Sequence, residues 1–368
     1  MIIPSLKRTR GFPIFDAPPA ARLLIPLDGL TPLMRAGDAV RAGQPVCARP
    51  DGAVRHSPWT GRVTAIGAHV EIEGGPEEPL PLAEADIADT ARAAGLVGMG
   101  GAAFPTFRKL ELARPAKLVL INGCESEPYV TCDSAVYAEQ GADVDCGMRL
   151  AMRAVGAAEG RMIADEDEVG YPGGYEGLLA GRALGVEIPV GKRPSDFGAL
   201  VINVQTALAL CQAVCRRRPL LDRVVTVDGD RVARPGNYRV AIGTPISHLL
   251  AVAGVELDPA PLILLGGPMM GREADRSDSI GPGSIAVITL DAEHARAHEA
   301  EPCMRCGRCF DVCPFSLNPC SLIERPDATV LRCVECGACE FACPAHIPLV
   351  ALLREGKAQS RGSGKKAV

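Results

Sequence analysis

Cys303-Met-Arg-Cys306-Gly-Arg-Cys309-Phe-Asp-Val-Cys313-Pro314 is the run that sets the structure of the carboxyl end. It recurs at a 30-residue spacing as Cys333-Val-Glu-Cys336-Gly-Ala-Cys339-Glu-Phe-Ala-Cys343-Pro344. Both copies have the spacing C-x2-C-x2-C-x3-C-P, which is typical of bacterial two-cluster ferredoxins. The short loops direct successive thiolates at one cubane, and the proline ends the turn. The repeat therefore predicts two [4Fe–4S] clusters and a one-electron function.

The pattern also predicts which thiols share a cluster, because the fourth cysteine of each run ligates the other cluster in such ferredoxins. One predicted set is Cys303, Cys306, Cys309 and Cys343, and the other is Cys333, Cys336, Cys339 and Cys313. The alternative is a pair of structural zinc sites. Zinc needs four ligands but gives no reason for a repeated run that ends in proline.

The other cysteines carry weaker signals. Cys320 lies outside both runs and is expected to be a buried thiol. Cys211 and Cys215 are four residues apart in a helical run, so we expect them to pack in a core, because two ligands alone do not make a metal site. Cys47, Cys132 and Cys146 have no partner by spacing.

Composition narrows the class of protein. The chain has 368 residues, of which 47% are hydrophobic and 23% charged, as expected for two or three folded domains. A net charge of −5 argues against nucleic acid as a partner bound through overall basicity. There is no apolar run long enough for a membrane helix and no apolar signal segment, so we expect a cytoplasmic protein. Fifteen cysteines in such a chain favour metal ligation over disulfides.

A glycine-rich segment lies at residues 95–106 and contains Gly98, Gly100 and Gly101, with Lys109 soon after. Small residues let backbone amides approach a phosphate or a flat ring. The segment is not a Walker A loop, because no Gly-Lys-Ser/Thr follows, and no apolar strand precedes it as a Rossmann fingerprint requires. Taken alone, an ordinary turn is an equally good interpretation.

A short apolar strand at residues 117–121 runs into a polar loop, Asn122-Gly123-Cys124-Glu125-Ser126-Glu127-Pro128-Tyr129. Polar groups at the carboxyl end of such a strand lie where open α/β sheets bind ligands. Carboxylates there could accept hydrogen bonds from ribose hydroxyls or from a nicotinamide amide. The alternative is a solvated acidic loop.

These two segments resemble the nucleotide-site motifs of the flavoprotein subunit of respiratory complex I, GRGGAGFPTGxK followed by NADESEP. They are still more similar to the C-subunit family of the Rnf electron-transport complex, with GGAxFPTxxK and INGxExEPYxTCD. Residues 121–133 read INGCESEPYVTCD here. The likeness continues at residues 171–176, at residues 201–206 and in the cysteine runs, in the same order, so it covers most of the chain.

The resemblance implies a role for each matching residue. FMN phosphate and ribityl would be held by Gly98, Gly100, Gly101 and Lys109. The flavin would be lined by Asn122, Glu125, Gly174, Asn203 and Thr206, and NADH would contact Phe104, Glu127 and Glu176. No side chain needs to act as a catalytic acid or base, because the cofactor carries the hydride. The chain departs from the complex I pattern at Met99, Ala103, Cys124, Tyr175 and Ile202, which puts the polar contacts of the flavin in question.

The expected fold class is a multidomain α/β protein. Residues 1–75 are expected to form a lipoyl-like β barrel-sandwich, residues 90–220 an FMN- and NADH-binding α/β domain, and residues 222–290 an SLBB-like β-grasp domain. Residues 292–355 would form an α-helical, ferredoxin-like two-cluster domain, and residues 356–368 a basic tail. Within these units we predict a strand at 118–121, helices at 144–158 and 201–217, a tight turn at 266–271 and a helix after residue 291.

The resemblance implies that NADH is oxidised at FMN and that electrons pass singly through both clusters to a partner. That partner would be the other subunits of a membrane Rnf-type complex, with ferredoxin reached indirectly and the chain peripheral on the cytoplasmic face of the inner membrane. Two alternatives remain open. The chain is shorter than typical members, which favours a soluble reductase of the cobalamin-reductase type as partner. The changes at Cys124 and Tyr175 favour a relay subunit without flavin.

Overall fold

The computed structural model describes residues 6–164, 171–291 and 300–363. Its first part is rich in β-structure, as the short alternating runs predict. Two antiparallel sheets, with the orders β2-β8-β7-β4 and β3-β5-β6, enclose a core that includes Leu23, Val46 and Trp59. The strands are β1 (Ile14–Asp16), β2 (Arg22–Pro26), β3 (Thr31–Pro32), β4 (Ala39–Val40), β5 (Pro45–Ala48), β6 (Val54–His56), β7 (Trp59–Ile66) and β8 (His69–Pro76).

A three-stranded parallel sheet follows, with the order β10-β9-β11. Alternate residues of β9 enter two different cores, Val119 and Ile121 on one face and Leu118 and Leu120 on the other, so both faces are covered. The elements are α1 (Ile87–Ala93), α2 (Thr106–Leu112), β9 (Leu118–Asn122), α3 (Cys132–Val155), β10 (Glu159–Ile163), α4 (Glu176–Leu184), β11 (Ala199–Asn203) and α5 (Val204–Arg216).

The first residues predicted for two helices were wrong. The helix predicted from residue 144 begins at Cys132 and kinks at Gln140, so its apolar periodicity is regular only in the second half. The helix predicted from residue 201 begins at Val204, and the three residues before it belong to β11. A short buried apolar run has no period that distinguishes a strand from a helix.

The largest sheet has the order β1-β13-β12-β16-β14-β15. Its later strands, with one helix between them, are β12 (Asp222–Gly229), β13 (Gly236–Ala241), α6 (Ile246–Val252), β14 (Leu262–Leu265), β15 (Arg272–Glu273) and β16 (Ala286–Leu290). Strand β1 pairs in parallel with β13, Ile14 opposite Asn237, so it joins this sheet and not the N-terminal sheets expected for residues 1–75. The helix predicted after residue 291 falls on residues 292–299, outside the described residues.

The cysteine repeat folds as two similar halves. Its helices are α7 (Arg308–Asp311), α8 (Pro319–Glu324), α9 (Ala338–Phe341) and α10 (Leu349–Ser363), with a 3-10 turn at Ala328–Arg332. Left-handed residues recur at the 30-residue spacing, since Arg305 and Glu335 have φ of 54° and 58°, and Gly307 and Gly337 have φ of 79° and 78°. Helix α10 runs through residues 356–363 of the expected tail, and residues 364–368 lie outside the described part.

Helices α3 and α5 cross at very short range, and this contact holds the two long helices behind the parallel sheet. A Cβ atom on Gly147 of α3 would lie 1.9 Å from the carbonyl oxygen of Ala207 on α5. Backbone cannot yield as the end of a side chain does, so glycine is required at this crossing.

We predict that Gly147→Ala lowers the free energy of unfolding by about 2–3 kcal/mol, because the methyl group must separate the helices. Gly141→Ala in the same helix is the matched control, since its Cβ would meet only the Tyr137 ring, at 3.6 Å. The control should be neutral or slightly stabilising. Denaturant unfolding of both variants checks this, and equal stabilities would contradict the assigned contact.

Candidate functional site

The polar loop after β9 is held against the loop that precedes α4. Asn122 donates its amide to the carbonyl oxygen of Gly174 at 2.8 Å and accepts from the Cys124 amide at 3.1 Å. A Cβ on Gly174 would lie 2.7 Å from the carbonyl oxygen of Cys124. Two motif segments that are far apart in the sequence therefore meet at one edge of the sheet. This is the edge at which parallel α/β sheets bind ligands.

Asn203 ends β11 in register with Asn122 and begins α5. Its side-chain oxygen accepts from the amides of Gln205 and Thr206, at 2.9 and 3.4 Å, which caps the helix. The hydroxyl of Thr206 accepts from the Met99 amide at 2.9 Å. A Cβ on Gly100 would lie 3.3 Å from the side-chain amide nitrogen of Asn203. The glycine-rich segment thus lies directly on the start of α5.

The glycine-rich segment forms a closed loop. The Gly98 amide donates to the carbonyl oxygen of Phe104 at 2.8 Å, and the Ala103 amide donates back to that of Gly98 at 3.1 Å. Gly101 has φ of 116°, which favours glycine, and no atom lies within 4 Å of where its Cβ would be. Phe104 is 46% exposed at this loop. The loop therefore presents bare backbone and one exposed ring, which suits the close approach of a phosphate or a planar group.

Lys109 and Glu176 form an ion pair between α2 and the first turn of α4. Their side chains are partly exposed, at 25% and 44% of the full accessible surface. The resemblance assigns these two residues to FMN and to NADH respectively, and the structure brings them together beside the glycine loop.

Glu125 is buried and holds the start of α3. Its two carboxylate oxygens accept from the amides of Asp133 and Ser134, at 2.5 and 3.1 Å, and Lys7 donates to its carbonyl oxygen. Burial, with the nearby Asp133 carboxylate, raises the pKa of Glu125 to about 8. Both oxygens are thus engaged with backbone amides, and the flavin contact that the resemblance assigns to Glu125 stays a prediction.

Three buried residues behind this edge, Asp133, Gln205 and Arg223, have no role predicted from the sequence, although two of them lie within its motifs. The Asp133 carboxylate accepts from the side-chain amide of Gln205 at 2.9 Å and from the side-chain amide of Asn203. Arg223 donates to the carbonyl oxygens of Met99 and Pro282, at 3.1 and 2.6 Å. The alternation of β12 alone could not reveal Arg223, because an arginine in a strand is usually exposed.

Glu127 lies two residues farther along the same loop and faces the glycine turn at residues 266–271. Its carboxylate accepts from the amides of Met269 and Met270, at 3.1 and 2.8 Å. Burial raises the pKa of Glu127 to about 7. A residue that the resemblance assigns to NADH therefore also fixes the loop between β14 and β15.

This loop and the one before α4 both touch the second cysteine run. The Tyr171 hydroxyl donates to the carbonyl oxygen of Cys336. A Cβ on Gly337 would lie 2.3 Å from the carbonyl oxygen of Met269. The rings of Tyr175 and Phe315 meet edge to face, with their centroids 6.3 Å apart. Tyr175, which departs from the complex I motif, thus contacts the cysteine repeat.

The cysteines of the repeat lie around two cavities. Cys313 of the first run lines one cavity together with Cys333, Cys336 and Cys339 of the second run. Cys343 of the second run lines the other cavity, of about 400 Å³, with Cys303, Cys306 and Cys309 of the first run. Cys320 also lines this cavity, with its sulfur 3.5 Å from that of Cys303. It is half-buried, so the expectation of a buried thiol was wrong.

Both cavities have the donors that an iron–sulfur cluster needs. Backbone amides donate to the sulfur atoms of Cys303, Cys313 and Cys333 at 3.3–3.4 Å, and such hydrogen bonds tune cluster potentials. Burial, reinforced by the neighbouring thiols, raises the pKa of Cys336 to about 11 and raises that of Cys339. These thiols are protonated when free, so a metal must displace their protons.

Within the described residues, no helix combines the length and the apolar character needed to cross a membrane. The fold is similar to that of a chain of the NAD⁺-reducing [NiFe]-hydrogenase, solved as a crystal structure in the H2-reduced state. The TM-score is 0.52 at 20% sequence identity, over 74% of this chain and 62% of that chain. This likeness concerns the fold.

Two family models match parts of the chain. Residues 91–169 match the Nuo51 FMN-binding domain, and residues 224–273 match the SLBB domain. The first match includes the glycine loop and the polar loop after β9. The second covers the β12–β15 part of the large sheet.

The chain is also similar over most of its length to proteins named as the C subunit of the ion-translocating oxidoreductase complex. It is 36% identical to the one from Pseudomonas aeruginosa, over 85% of this chain and 48% of that protein. It is 33% identical to the one from Rhodobacter capsulatus, over 80% of this chain and 66% of that protein. The chain thus spans between about half and two thirds of these relatives. With the two domain matches, this similarity shows that the chain belongs to the C-subunit family of ion-translocating oxidoreductase complexes, the Rnf C-subunit family.

Proposed function

We propose that this chain is the electron-input subunit of an Rnf-type complex, which binds FMN, oxidises NADH and passes electrons to partner subunits through two [4Fe–4S] clusters. When bound, the flavin takes a hydride from NADH, and the clusters carry single electrons. Ferredoxin is reached indirectly, through the other subunits. Family membership supports this assignment, as does the match of residues 91–169 to an FMN-binding domain.

The proposed flavin pocket consists of the glycine loop and the residues at the ends of β9 and β11, and these residues fit a flavin phosphate and ring. Gly101 leaves its side of the loop open, Gly98 and Gly100 add no side chains to the loop, and Lys109 follows the loop on α2. We place the flavin phosphate against this loop. Amides and a cation are the groups that bind phosphate. Asn122, Gly174, Asn203 and Thr206 form the floor at the ends of β9 and β11, next to which we place the flavin ring. Phe104 and Glu176 are then the exposed groups for NADH.

The contact between the pocket loops and the cavity of Cys313, Cys333, Cys336 and Cys339 carries the proposal. The Tyr171 hydroxyl donates a hydrogen bond to the backbone carbonyl oxygen of Cys336, and the loop held by Glu127 packs on Gly337. Electron transfer needs short distances between carriers, so this cavity is the natural entry to the cysteine repeat. The other cavity, with Cys303 and Cys306 exposed, faces solvent and suits exit to a partner.

The finer domain assignments belong to the same proposal. The N-terminal sheets would form a lipoyl-like docking unit. Residues 292–355, of which the structure describes 300–355, would form a ferredoxin-like unit with two clusters. The family relationship supports attachment to the membrane subunits of the complex, at the cytoplasmic face of the inner membrane. A membrane-bound complex is favoured over a soluble partner because the relatives with 33–36% identity are named as subunits of an ion-translocating complex.

The proposal predicts that anaerobically purified protein contains FMN and about eight irons, and that NADH bleaches both chromophores. Lys109→Ala should weaken FMN retention roughly 10–100-fold, the effect of losing one charge-assisted contact, while iron content is unchanged. Arg108→Ala, which breaks the neighbouring ion pair with Glu111, is the matched control and should retain FMN. Iron without flavin would favour the relay subunit, and zinc in place of iron would overturn the proposal.

The position of the two cavities gives a second prediction. Cys336→Ser should abolish NADH-driven reduction of the cluster in the cavity of Cys303, Cys306, Cys309 and Cys343. The cavity that contains Cys336 lies between the proposed flavin pocket and that cluster. Cys306→Ser should leave the NADH-driven signal of the other cluster intact. Electron paramagnetic resonance after NADH or dithionite distinguishes the two variants. The same response from both would contradict the order of the cavities.

Glu127 gives a pH-dependent prediction. The pKa of Glu127 is raised from 4.5 to about 7, so the folded protein holds this proton more tightly than the unfolded chain. The stabilisation that the bound proton gives the folded protein is complete below the unfolded pKa and is lost as the pH rises through about 7. Glu127→Gln cannot titrate, so its stability relative to wild type should rise by about 2–3 kcal/mol between about pH 5 and about pH 8.

Denaturant unfolding of wild type and variant across this pH range measures the difference. Glu273→Gln, at an exposed carboxylate on β15, is the control and should show no such trend. A constant difference between Glu127→Gln and wild type would show that the Glu127 carboxyl is not buried in solution.

A further inference from the structure

The contact between α3 and α5 holds three cysteines that the proposed function does not use. Cys146 lies on α3, and Cys211 and Cys215 lie one turn apart on α5. The three sulfur atoms lie within 4.8 Å of one another. The sequence predicted core packing for the α5 pair and no partner for Cys146, because spacing along the chain cannot show that the two helices face each other here.

A carboxylate lies beside the group, next to Cys211. Asp143 lies one turn before Cys146 on α3, and its Oδ1 is 3.9 Å from the sulfur of Cys211. Its Oδ2 accepts from Arg216 at 2.7 Å, which fixes the orientation of the carboxylate from outside, as outer-shell partners do at metal sites. Each helix thus contributes two ligands at a spacing of three or four residues, the arrangement by which facing helices build metal sites.

The separation of the Cys146 and Cys215 sulfurs fits a tetrahedral ion better than a disulfide. With Zn–S bonds of about 2.3 Å, two sulfurs of a tetrahedral site are about 3.8 Å apart. The sulfurs of Cys146 and Cys215 are 3.7 Å apart. A disulfide needs about 2.0 Å and would use only two of the three thiols. Three thiolates and one carboxylate suit zinc, an ion of borderline softness.

We propose that Asp143, Cys146, Cys211 and Cys215 form a structural zinc site that clamps α3 to α5. Four protein ligands leave no open position, so the site is structural and not catalytic. Cys211 is buried and Cys215 is exposed, which gives the ion a path from solvent. The clamp fixes two helices that begin behind the pocket, near Asp133 and Asn203. The site is independent of the proposed electron transfer.

The test uses the full chain purified anaerobically under reducing conditions, with its iron in place. Elemental analysis should find one zinc per chain beside the iron. X-ray absorption at the zinc edge should show about three sulfurs at about 2.3 Å and one oxygen at about 2.0–2.2 Å. Four sulfurs would assign the zinc to the cysteine repeat and would overturn the proposal.

Variants decide the location. Replacing Cys146, Cys211 and Cys215 together by serine should remove the zinc and leave the iron. Cys47→Ala, at a buried thiol in the N-terminal sheets, is the matched control and should retain both metals. Cys215→Ser alone changes an exposed position and should fold; it should lose zinc to a chelator at a chelator concentration at least about tenfold lower than wild type.

Three further outcomes would overturn the proposal. One is wild-type protein that retains no zinc after incubation with zinc and removal of the excess. Another is unchanged zinc retention in Cys215→Ser. The third is a Cys146–Cys215 disulfide, found by mass spectrometry without reductant in freshly purified, zinc-free protein. Each can be read without any assay of electron transfer.

Discussion

The proposed flavin pocket depends on one alignment, the parallel pairing that places Asn122 of β9 opposite Asn203 of β11. Because parallel strands end at the same edge of a sheet, the loops that follow them must meet there. One asparagine holds the loop before α4, and the other caps α5. The glycine-rich loop then packs on the start of α5 through Thr206. Four segments, separated by up to about a hundred residues in sequence, thus meet at one edge of the sheet.

Buried polar groups stabilise this convergence through their own hydrogen bonds. Glu125 stabilises the start of α3 by accepting from two backbone amides, which would otherwise lack partners inside the protein. Asp133 in turn accepts from Gln205 and Asn203. A buried carboxylate is tolerated only when it is paired or protonated, and the raised pKa of Glu125 reflects that constraint. The floor of the pocket is therefore held in place by the protein's own groups.

The cysteine repeat depends on the same pocket for its position. Tyr171 and the loop held by Glu127 contact the second run, so the cavity that contains Cys336 lies next to the pocket. The repeat itself exchanges its fourth cysteines, with Cys313 in one cavity and Cys343 in the other. This exchange ties the two halves of the repeat together, because each cavity takes cysteines from both runs.

Elements with local signals could be predicted from the order of the amino acids. The cysteine runs, the short N-terminal strands and the strand before Asn122 follow from spacing and period, because neighbouring residues set them. The start of α3 could not be located in this way, since the helix is interrupted at Gln140. The contacts of Glu125 and Glu127, the burial of Arg223 and the meeting of Cys146 with the two cysteines of α5 became known from the folded chain. They arise where distant segments pack together, and the type and spacing of residues along the chain do not encode such contacts directly.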